Sequence, residues 1–251
     1  MSPMGRYEHE VMNAVGLRGT VSVRDLAALL DVSEQTVRRV VKPMVERGEV
    51  HKVHGAITSV TSTGDAPFLT RMNVARDAKV AIAARVAQLV RDGDTVALDT
   101  GSTTGFIAQA LRGHHGLTVV TNSSFVATTL ATIPGNRVHM AGVELRNHDG
   151  ASFDAFAFQV IRSMKVRVAI LSASAIDPRR GPMVHEHCEA EMSAAMSSIA
   201  DQRILAVDAT KFGRSALVAI GPLAAGDAVV TDQRPAAALA RALRPATVLV
   251  A

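Results

Sequence analysis

Apolar and polar positions near the N-terminus repeat with the period of two short helices. Leucines at spacings of three and four predict the first helix within residues 21–30. They are Leu26, Leu29 and Leu30. Ser33 then offers a side-chain oxygen to a first-turn amide of a second helix, and Asp31 tolerates the left-handed backbone of a tight turn. The apolar residues expected to pack on the first helix are Val37, Val40 and Val41. This pattern predicts a helix-turn-helix.

The exposed side of the second helix carries groups suited to reading DNA bases. Gln pairs bidentately with adenine and Arg with guanine, and the second helix of this motif enters the major groove. The residues near its N-terminal end are Gln35, Thr36, Arg38 and Arg39. Alternation around Val50 and Val53 then predicts a β-hairpin wing that ends at Gly55. A solvated helix and hairpin are the alternative, but turn, cap and wing follow each other in the order of a DNA-binding module.

Positive charge is concentrated in this module. Between residues 38 and 54, five Lys or Arg stand against two acids, and phosphate contacts would use this excess. The capping serine and the side chains expected at phosphates complete the predicted DNA-binding set, which adds Ser33, Lys42, Lys52 and His54.

The composition also indicates where the domains divide. A helix at 4–15 is expected to start the head and to bury Tyr7, Val11, Met12 and Val15. Residues 58–67 are poor in bulky groups and rich in Ser, Thr, Gly and Pro, which is typical of a linker. The sequence therefore predicts a DNA-binding domain at 1–57, a linker at 58–67 and a larger body at 68–251.

The body alternates helical and strand patterns after an amphipathic helix at 76–90. The predicted strands are 95–99, 117–121, 137–141, 166–173, 204–208, 217–220, 228–231 and 247–250. The predicted helices between them are 103–111, 123–131, 153–164, 189–201 and 235–243. Several strands are apolar throughout, as expected when helices cover both faces of a parallel sheet. We expect a doubly wound α/β body.

Composition narrows the class of protein. A chain of 251 residues that is 48% hydrophobic can hold a substantial core, and its net charge of +4 favours a polyanionic partner. The single cysteine, Cys188, excludes an internal disulfide and fits a reducing compartment. No apolar run reaches the roughly 18 residues that span a bilayer. We therefore expect a cytoplasmic protein that does not contact membranes.

Two strand ends carry small polar residues that suit an anion. Residues 99–105, DTGSTTG, run from a strand directly into a helix, so backbone amides and the helix N-terminus favour a phosphate. The next strand ends in the triplet Thr121, Asn122 and Ser123. Ordinary helix caps are the alternative for both loops. Lys79 and Lys211 are further candidates for a phosphate, although an isolated lysine is more often solvated.

These runs carry a resemblance to a known family. VSVRDLAALLDVSEQTVRR and GEVHKVHGA in the head, then LDTGSTT, TNS and DATKFG in the body, resemble the DeoR family of bacterial transcriptional regulators. The resemblance implies a winged helix-turn-helix and a mainly parallel α/β effector domain similar to ribose-5-phosphate isomerase and CoA-transferase folds. It also implies a small phosphorylated metabolite that alters binding to an operator. The effector-binding residues predicted from these motifs are Lys79, Asp99, Gly101, Ser102, Thr103, Thr104, Thr121, Asn122, Ser123 and Lys211.

The chain departs from the family pattern in both parts. Val40 and Val41 follow the arginine pair, and Pro43 removes an amide donor from the second helix, so we expect a kink or an early end near Lys42. In the body, side chains replace an acid, two glycines and a lysine at Arg167, Ser172, Ala175 and Ser193. They are expected to occupy open space in the pocket and to remove one cation, so the ligand need not be the usual sugar phosphate.

Two other interpretations compete with a regulator. Residues 185–189, HEHCE, contain zinc-ligand types but lack spaced pairs, so no metal and no cofactor is predicted. An isomerase or acyl transferase carrying a DNA-binding head would need a general base. Residues available for that role are Glu189, Glu191, Asp99 and Asp232, but their spacing does not require it. No catalytic residue is predicted.

The leading hypothesis is a ligand-responsive transcription factor, a repressor of carbohydrate metabolism genes. One helix-turn-helix half-site makes too few contacts for tight specific binding. The partners expected are double-stranded operator DNA, a small phosphorylated effector and further copies of the chain in a dimer or tetramer.

Overall fold

The chain forms two compact units, Met1–Arg71 and Met72–Ala251, which are called the head and the body below. The structure is a computed structural model that describes residues 3–18, 20–47, 49–53, 55–59 and 68–251. The predicted linker at 58–67 falls mostly outside these ranges. Its first two residues belong to the last strand of the head.

The head combines helices with a three-stranded antiparallel sheet. Its elements are α1 (Pro3–Arg18), β1 (Thr20–Ser22), α2 (Val23–Leu30), α3 (Glu34–Glu46), β2 (Val50–Val53) and β3 (Ala56–Ser59). The strand order is β1-β3-β2, with β2 and β3 paired as a hairpin. Ser22 starts α2 by accepting the Asp25 amide at 3.0 Å, and Asp31 follows it with a φ of 52°. The predicted helix-turn-helix and wing are confirmed, but the wing does not end at Gly55, which lies in its turn, because the second strand of the hairpin continues to Ser59.

The apolar faces of α1 and α2 differ in detail from the prediction. Leu29 is 50% exposed and Met12 is 39% exposed, so both were wrongly placed in the core. The buried residues of α2 are Val23, Leu26, Ala27 and Leu30. At about 3.6 residues per turn these four share one face, and Leu29 lies outside it. In α1, Ala14 is buried with Val11 and Val15, while Tyr7 is half-buried.

Pro43 does not end α3, the second helix of the helix-turn-helix, which is called the recognition helix below. α3 continues to Glu46, and the Arg47 amide donates to the Pro43 carbonyl at 2.9 Å, so the predicted early end is wrong. Buried side chains lie on both sides of the proline, at Val40, Val41 and Met44. Packing of this stripe maintains the helix although one amide donor is missing.

The body alternates strands and helices around one large sheet. Its elements, with the helix that precedes them, are α4 (Phe68–Met72), α5 (Arg76–Ala87), β4 (Thr95–Leu98), α6 (Ser102–Ala110), β5 (Thr118–Thr121), α7 (Ser124–Ala131), β6 (Arg137–Met140), α8 (Ala155–Arg162), β7 (Val166–Leu171), β8 (Ala175–Asp177), β9 (Gly181–Val184), α9 (His187–Ser198), β10 (Ala200–Ala206), β11 (Val218–Ala219), β12 (Ala228–Thr231), α10 (Ala237–Ala242) and β13 (Thr247–Val250). Short 3-10 turns lie at Leu111–Gly113 and Ala209–Lys211.

Seven parallel strands form the sheet in the order β13-β12-β10-β7-β4-β5-β6. Alternate residues of each inner strand enter two separate cores, for example Val96 and Leu98 on one face and Ala97 on the other. Helices α5, α6 and α7 contribute to the first core, and α8, α9 and α10 contribute to the second. The predicted doubly wound α/β body is confirmed.

Two short strands of the body were missed, and both ends of one helix were misplaced. β8 and β9 were missed, and with β11 they form a small antiparallel sheet of order β11-β9-β8. α9 begins at His187 and ends at Ser198 rather than spanning 189–201, because Glu186 and Glu189 form a capping box at its start. The following strand, β10, consequently starts at Ala200. None of the helices within the described ranges is long and apolar enough to span a membrane.

Candidate DNA-binding face and effector pocket

Ser33 caps the recognition helix, as predicted. Its backbone is extended, and its side chain accepts the Thr36 amide at 3.2 Å. The two hydroxyl oxygens, Ser33 Oγ and Thr36 Oγ1, are also hydrogen-bonded at 2.9 Å. These two residues therefore build the amino end of α3, which leaves the exposed side chains beyond them to contact DNA.

The exposed face of α3 presents four of the predicted DNA-binding residues, Gln35, Arg38, Arg39 and Lys42. Arg38 Nη2 lies 2.9 Å from Glu34 Oε2, and the Arg38 side chain is 61% exposed. An exposed pair of this kind is weak, about 0.3–0.5 kcal/mol, so DNA can displace Glu34. Lys52 is exposed on the wing. His54 lies outside the described residues.

A groove of about 340 Å³ lies between α3 and the wing. Its cationic lining consists of Arg38, Lys42 and Lys52, and its other lining residues are Val23, Val41, Val45, Glu46 and Ile57. Arg47, which also contributes to the local charge, is held by Glu49 at 2.8 Å and by Glu8 at 3.2 Å. Positive charge available to a phosphate is therefore concentrated beside this groove.

In the body, the order of the strands creates a crevice at the carboxyl end of β4. From β4 the chain winds towards β5 and β6 on one side, whereas β7, β10, β12 and β13 lie on the other. The position where the order of the strands reverses in this way is called a topological switch point. The loops that follow β4 and β7 diverge there, and ligands of open α/β sheets bind in the crevice between them. The predicted loop at 99–105 begins at this point.

The loop after β4 is shaped for a close approach of its backbone. Gly101 has a φ of 148°, and a Cβ atom at this position would lie 2.6 Å from Ser172 Oγ, so only glycine fits. Thr104 Oγ1 donates to the Gly101 carbonyl at 2.9 Å. The first three residues of α6, which are buried, are Ser102, Thr103 and Thr104. The free amides at this helix end suit an anion.

In the loop after β5, some polar side chains bind the backbone, and one keeps an atom that can bind a ligand. Thr121 Oγ1 accepts the Ser123 amide at 3.1 Å, and Ser123 Oγ accepts the Val126 amide at 3.4 Å. Asn122 donates from Nδ2 to the Ser152 carbonyl at 3.2 Å, but its Oδ1, although buried, lacks a hydrogen-bond partner within the described structure. Of the three predicted residues, Asn122 keeps an acceptor for a ligand, whereas the other two oxygens cap backbone amides.

The two predicted lysines lie on different elements. Lys79, only 2% exposed, belongs to α5, which packs against β10 and β12. Lys211 is half-buried on the 3-10 turn after β10, and Asp208 starts this turn by accepting the Thr210 amide at 3.0 Å. Since β10 is separated from β4 by β7 alone, Lys211 lies at the same edge of the sheet as the Gly101 loop.

Arg146 organises a cluster of acidic residues that the sequence did not reveal. Its guanidinium binds Asp149, Glu186 at 3.0 Å and Glu189 at 3.3 Å, and it stacks 4.1 Å from the Phe153 ring centroid. The cluster joins the 142–154 segment to the amino end of α9. No motif could have indicated it, because its members are up to 43 residues apart.

Asp99 lies beside this cluster and is 7% exposed. Burial raises the pKa of its carboxyl to about 7, the Thr100 amide opposes this shift, and the charges of Glu189 and Asp149 add to it. Ser193 Oγ of α9 is 3.5 Å from Asp99 Oδ2. Asp99 therefore directs one carboxyl oxygen towards α9, where its contact with Ser193 is long.

Buried polar atoms without a hydrogen-bond partner in the described structure cluster at this sheet edge. Four of them follow or end strands β4, β5, β10 and β12, namely Thr100 Oγ1, Asn122 Oδ1, Asp208 Oδ2 and Thr231 Oγ1. Buried polar groups in folded proteins are almost always paired. These four atoms therefore mark this edge of the sheet as the candidate site.

Comparison with known proteins agrees with both units. Residues 9–63 match the DeoR-like helix-turn-helix domain, and residues 74–233 match the DeoR C terminal sensor domain. The chain belongs to the DeoR family.

Two relatives of this DeoR-family chain illustrate the match. It is 32% identical over 225 residues to the glycerol-3-phosphate regulon repressor of Escherichia coli strain K12, covering 90% of this chain and 89% of the relative. It is 33% identical over 236 residues to the transcriptional repressor CsqR of the same strain, covering 94% and 90%. Among solved structures, ribose 5-phosphate isomerase A of Methanocaldococcus jannaschii is similar at a TM-score of 0.39 and 15% identity, over 55% of this chain and 54% of that chain.

The departures from the DeoR-family pattern have different locations. Arg167 does not enter the pocket, because its side chain lies at the amino end of the sheet, where Nε donates to Asp94 Oδ1 at 2.7 Å and Nη2 donates to the Leu89 carbonyl at 3.0 Å. The expectation that Arg167 fills pocket space is therefore wrong. Ser172 does lie at the crevice, against Gly101. Ser193 faces Asp99, and Ala175 is buried in β8.

The HEHCE stretch is a helix start in this DeoR-family chain. Within the described ranges, no group of three or more His, Cys, Asp and Glu side chains is arranged to hold a metal ion. Burial also raises the pKa of the Cys188 thiol to about 11, which disfavours the thiolate that zinc requires. Glu186 and Glu189 instead cap α9 and bind Arg146.

Proposed function

We propose that this protein is a repressor of carbohydrate-related genes that binds double-stranded operator DNA through its head and responds to a phosphorylated metabolite bound by its body. The observation that carries the proposal is the pairing, in one DeoR-family chain, of an exposed recognition helix with a polar crevice at a topological switch point. Relatives that cover most of the chain bear the names of repressors.

The residues proposed to contact DNA fall into two groups. Gln35 and Arg39, four residues apart on α3, share one exposed face and suit base edges. Arg38, Lys42 and Lys52 line the groove beside the wing and suit phosphates. Among its described residues one head offers few contacts of these kinds, so we propose that a homo-oligomer, a dimer or tetramer, binds the operator.

The proposed effector site follows the carboxyl edge of the sheet. A phosphate would bind the backbone amides of the Gly101 loop and the amino end of α6, with Lys79 and Lys211 as candidate counter-charges. Asp99 and Asn122 would accept hydrogen bonds from the rest of the ligand. Binding there needs a coupling of only about 1–3 kcal/mol to release the operator 5- to 150-fold.

An enzymatic role receives less support from the same residues. Glu189 is engaged by Arg146 and by the start of α9, and Asp232 Oδ1 accepts the Ala209 amide at 2.7 Å. Glu191 is exposed on α9. A general base must be free to take a proton from a substrate. We propose that the fourth candidate, Asp99, accepts a hydrogen bond from the ligand, so that the body senses its ligand without converting it.

The proposal is tested by selecting operator sequences from genomic DNA with the purified full chain and measuring affinity by fluorescence anisotropy at fixed salt. We expect a preferred segment and a change in affinity with a phosphorylated sugar or polyol. Thermal-shift measurements with the same compounds should show stabilisation, because a ligand that binds the folded state raises its melting temperature. Equal binding to all duplexes, with and without these compounds, would refute the proposal.

A further inference from the structure

The polar edge of the body sheet separates two chemical environments. Phe106 and Ile107 of α6 enter the core on one face of the sheet, whereas Met192 and Ala195 of α9 enter the core on the other. The amino end of α6 supplies amide and hydroxyl donors. A ligand group bound there and one bound beside α9 would therefore lie on opposite sides of the sheet edge.

The side beside α9 is rich in acceptors and negative charge. Asp99 is oriented towards Ser193 of α9, and the charges of Glu189 and Asp149 act on it. The Arg146 guanidinium is already shared by three carboxylates, those of Asp149, Glu186 and Glu189. With Asp99, this cluster has a net charge of −3 when every carboxylate is ionised. His148, 3.9 Å from Asp149, contributes only if it is protonated.

Asn122 gives an independent indication of a ligand on this side. It is fully buried, and its Oδ1 has no hydrogen-bond partner among the described residues. Leu98 pairs with Thr121 in the β4–β5 register, so Asp99 and Asn122 occupy the next positions of neighbouring strands and share a face. Asn122 Oδ1 requires a donor that the described residues do not supply, and Asp99 Oδ2, which lies 3.5 Å from Ser193 Oγ, can accept a second one.

We propose that the effector has two chemically different ends: a single phosphate, which binds at the amino end of α6, and an uncharged end with hydroxyl groups, which binds beside Asp99 and Asn122. The acidic residues beside α9 then exclude ligands that carry a second anionic group. This inference rests on the proposed effector function. Hydroxyl groups donate to both acceptors without adding charge. A carboxylate or a second phosphate would instead face Asp99, Asp149 and Glu189.

Matched pairs of ligands test this selectivity in the full chain by isothermal titration calorimetry. Glycerol 3-phosphate and 3-phosphoglycerate differ in one terminal group, CH₂OH or carboxylate, and sorbitol 6-phosphate and 6-phosphogluconate differ in the same way. We expect the polyol phosphate of at least one pair to bind, and its acid partner to bind about ten-fold more weakly or not at all, because the carboxylate is repelled by the charges of Asp99, Asp149 and Glu189.

Two variants identify the source of the discrimination. Asp99→Asn and Glu189→Gln each remove one negative charge, so either variant should reduce the difference in affinity between the two ligands of a pair. Glutamine at 189 retains the capping box of α9. Asp201 is a carboxylate in β10 that is 60% exposed. Asp201→Asn removes one negative charge away from the site and should leave the difference in affinity unchanged. Equal or tighter binding of the acids by the wild-type chain overturns the inference but leaves the proposed function intact. Binding of none of the four compounds counts against both.

Discussion

Gly101 and Ser172 meet across the crevice between β4 and β7, where a Cβ atom at 101 would lie 2.6 Å from the serine oxygen. The φ of 148° at Gly101 is a conformation that side chains rarely adopt, so two independent constraints require glycine. This contact joins the loop of the first strand of the body to the end of the strand on the other side of the switch point. A small change at either residue should therefore alter the effector site before it alters the core.

Gly101→Ala is expected to abolish the response to the effector while the head still binds DNA. The added methyl group displaces Ser172 and imposes backbone strain of about 1–3 kcal/mol. The measurement is operator affinity with and without a phosphorylated ligand. Gly221→Ala, also at positive φ but with open space around its Cβ, controls for strain alone. A Gly101→Ala variant with an undiminished response would remove this loop from the site.

Arg39→Ala and Arg38→Ala should weaken DNA binding in different ways. Arg39 shares a face with Gln35, so its loss should cost about 1–3 kcal/mol and relax preference at one base pair. Arg38 lines the groove with Lys42 and Lys52, so its loss should weaken binding to all duplexes by a similar factor. The slope of log affinity against log salt concentration should also decrease in magnitude by about 1. Titrations of operator and scrambled duplex over a range of salt distinguish the two effects. An equal loss of specificity in both variants would contradict this division.

Local signals made the head and the strand-end loops predictable, whereas long-range contacts did not. Ser33 and Asp31 act within a few residues of themselves, and the structure confirms both. Leu29 was misplaced because three leucines fit more than one helical face, and only packing against α3 selects Ala27 instead. The Arg146 cluster could not be found, because Glu186 and Glu189 lie at the start of α9, about forty residues away in sequence. No periodicity or spacing records such a contact.

Pro43→Ala is expected to stabilise the head. Alanine restores the missing amide donor within α3 and improves helix propensity, which together should add about 1–3 kcal/mol to the free energy of unfolding. The chain has a single tyrosine and no tryptophan, so Tyr7 fluorescence during urea unfolding reports on the head. Ala28→Gly, at an exposed position of α2, should shift the same transition in the opposite direction. A destabilised Pro43→Ala head would mean that the proline ring itself contributes packing.

Asp99 should make the stability of the body depend on pH in a defined direction. Its pKa is raised from 3.8 to about 7 in the folded state, mainly by burial. Between these values the folded state retains a proton that the unfolded state has lost, so stability should fall as pH rises from about 4 to about 7 and then level off. Asp99→Asn removes the titrating group. The free energy of unfolding of this variant, relative to that of the wild type, should therefore increase across that pH range, by at most about 4 kcal/mol. Urea unfolding followed by far-ultraviolet circular dichroism at pH 5 and pH 8 measures this difference, with Asp201→Asn as the exposed control. If the wild type and Asp99→Asn lose stability in parallel between those two pH values, Asp99 does not titrate within this window and its pKa is not raised to about 7.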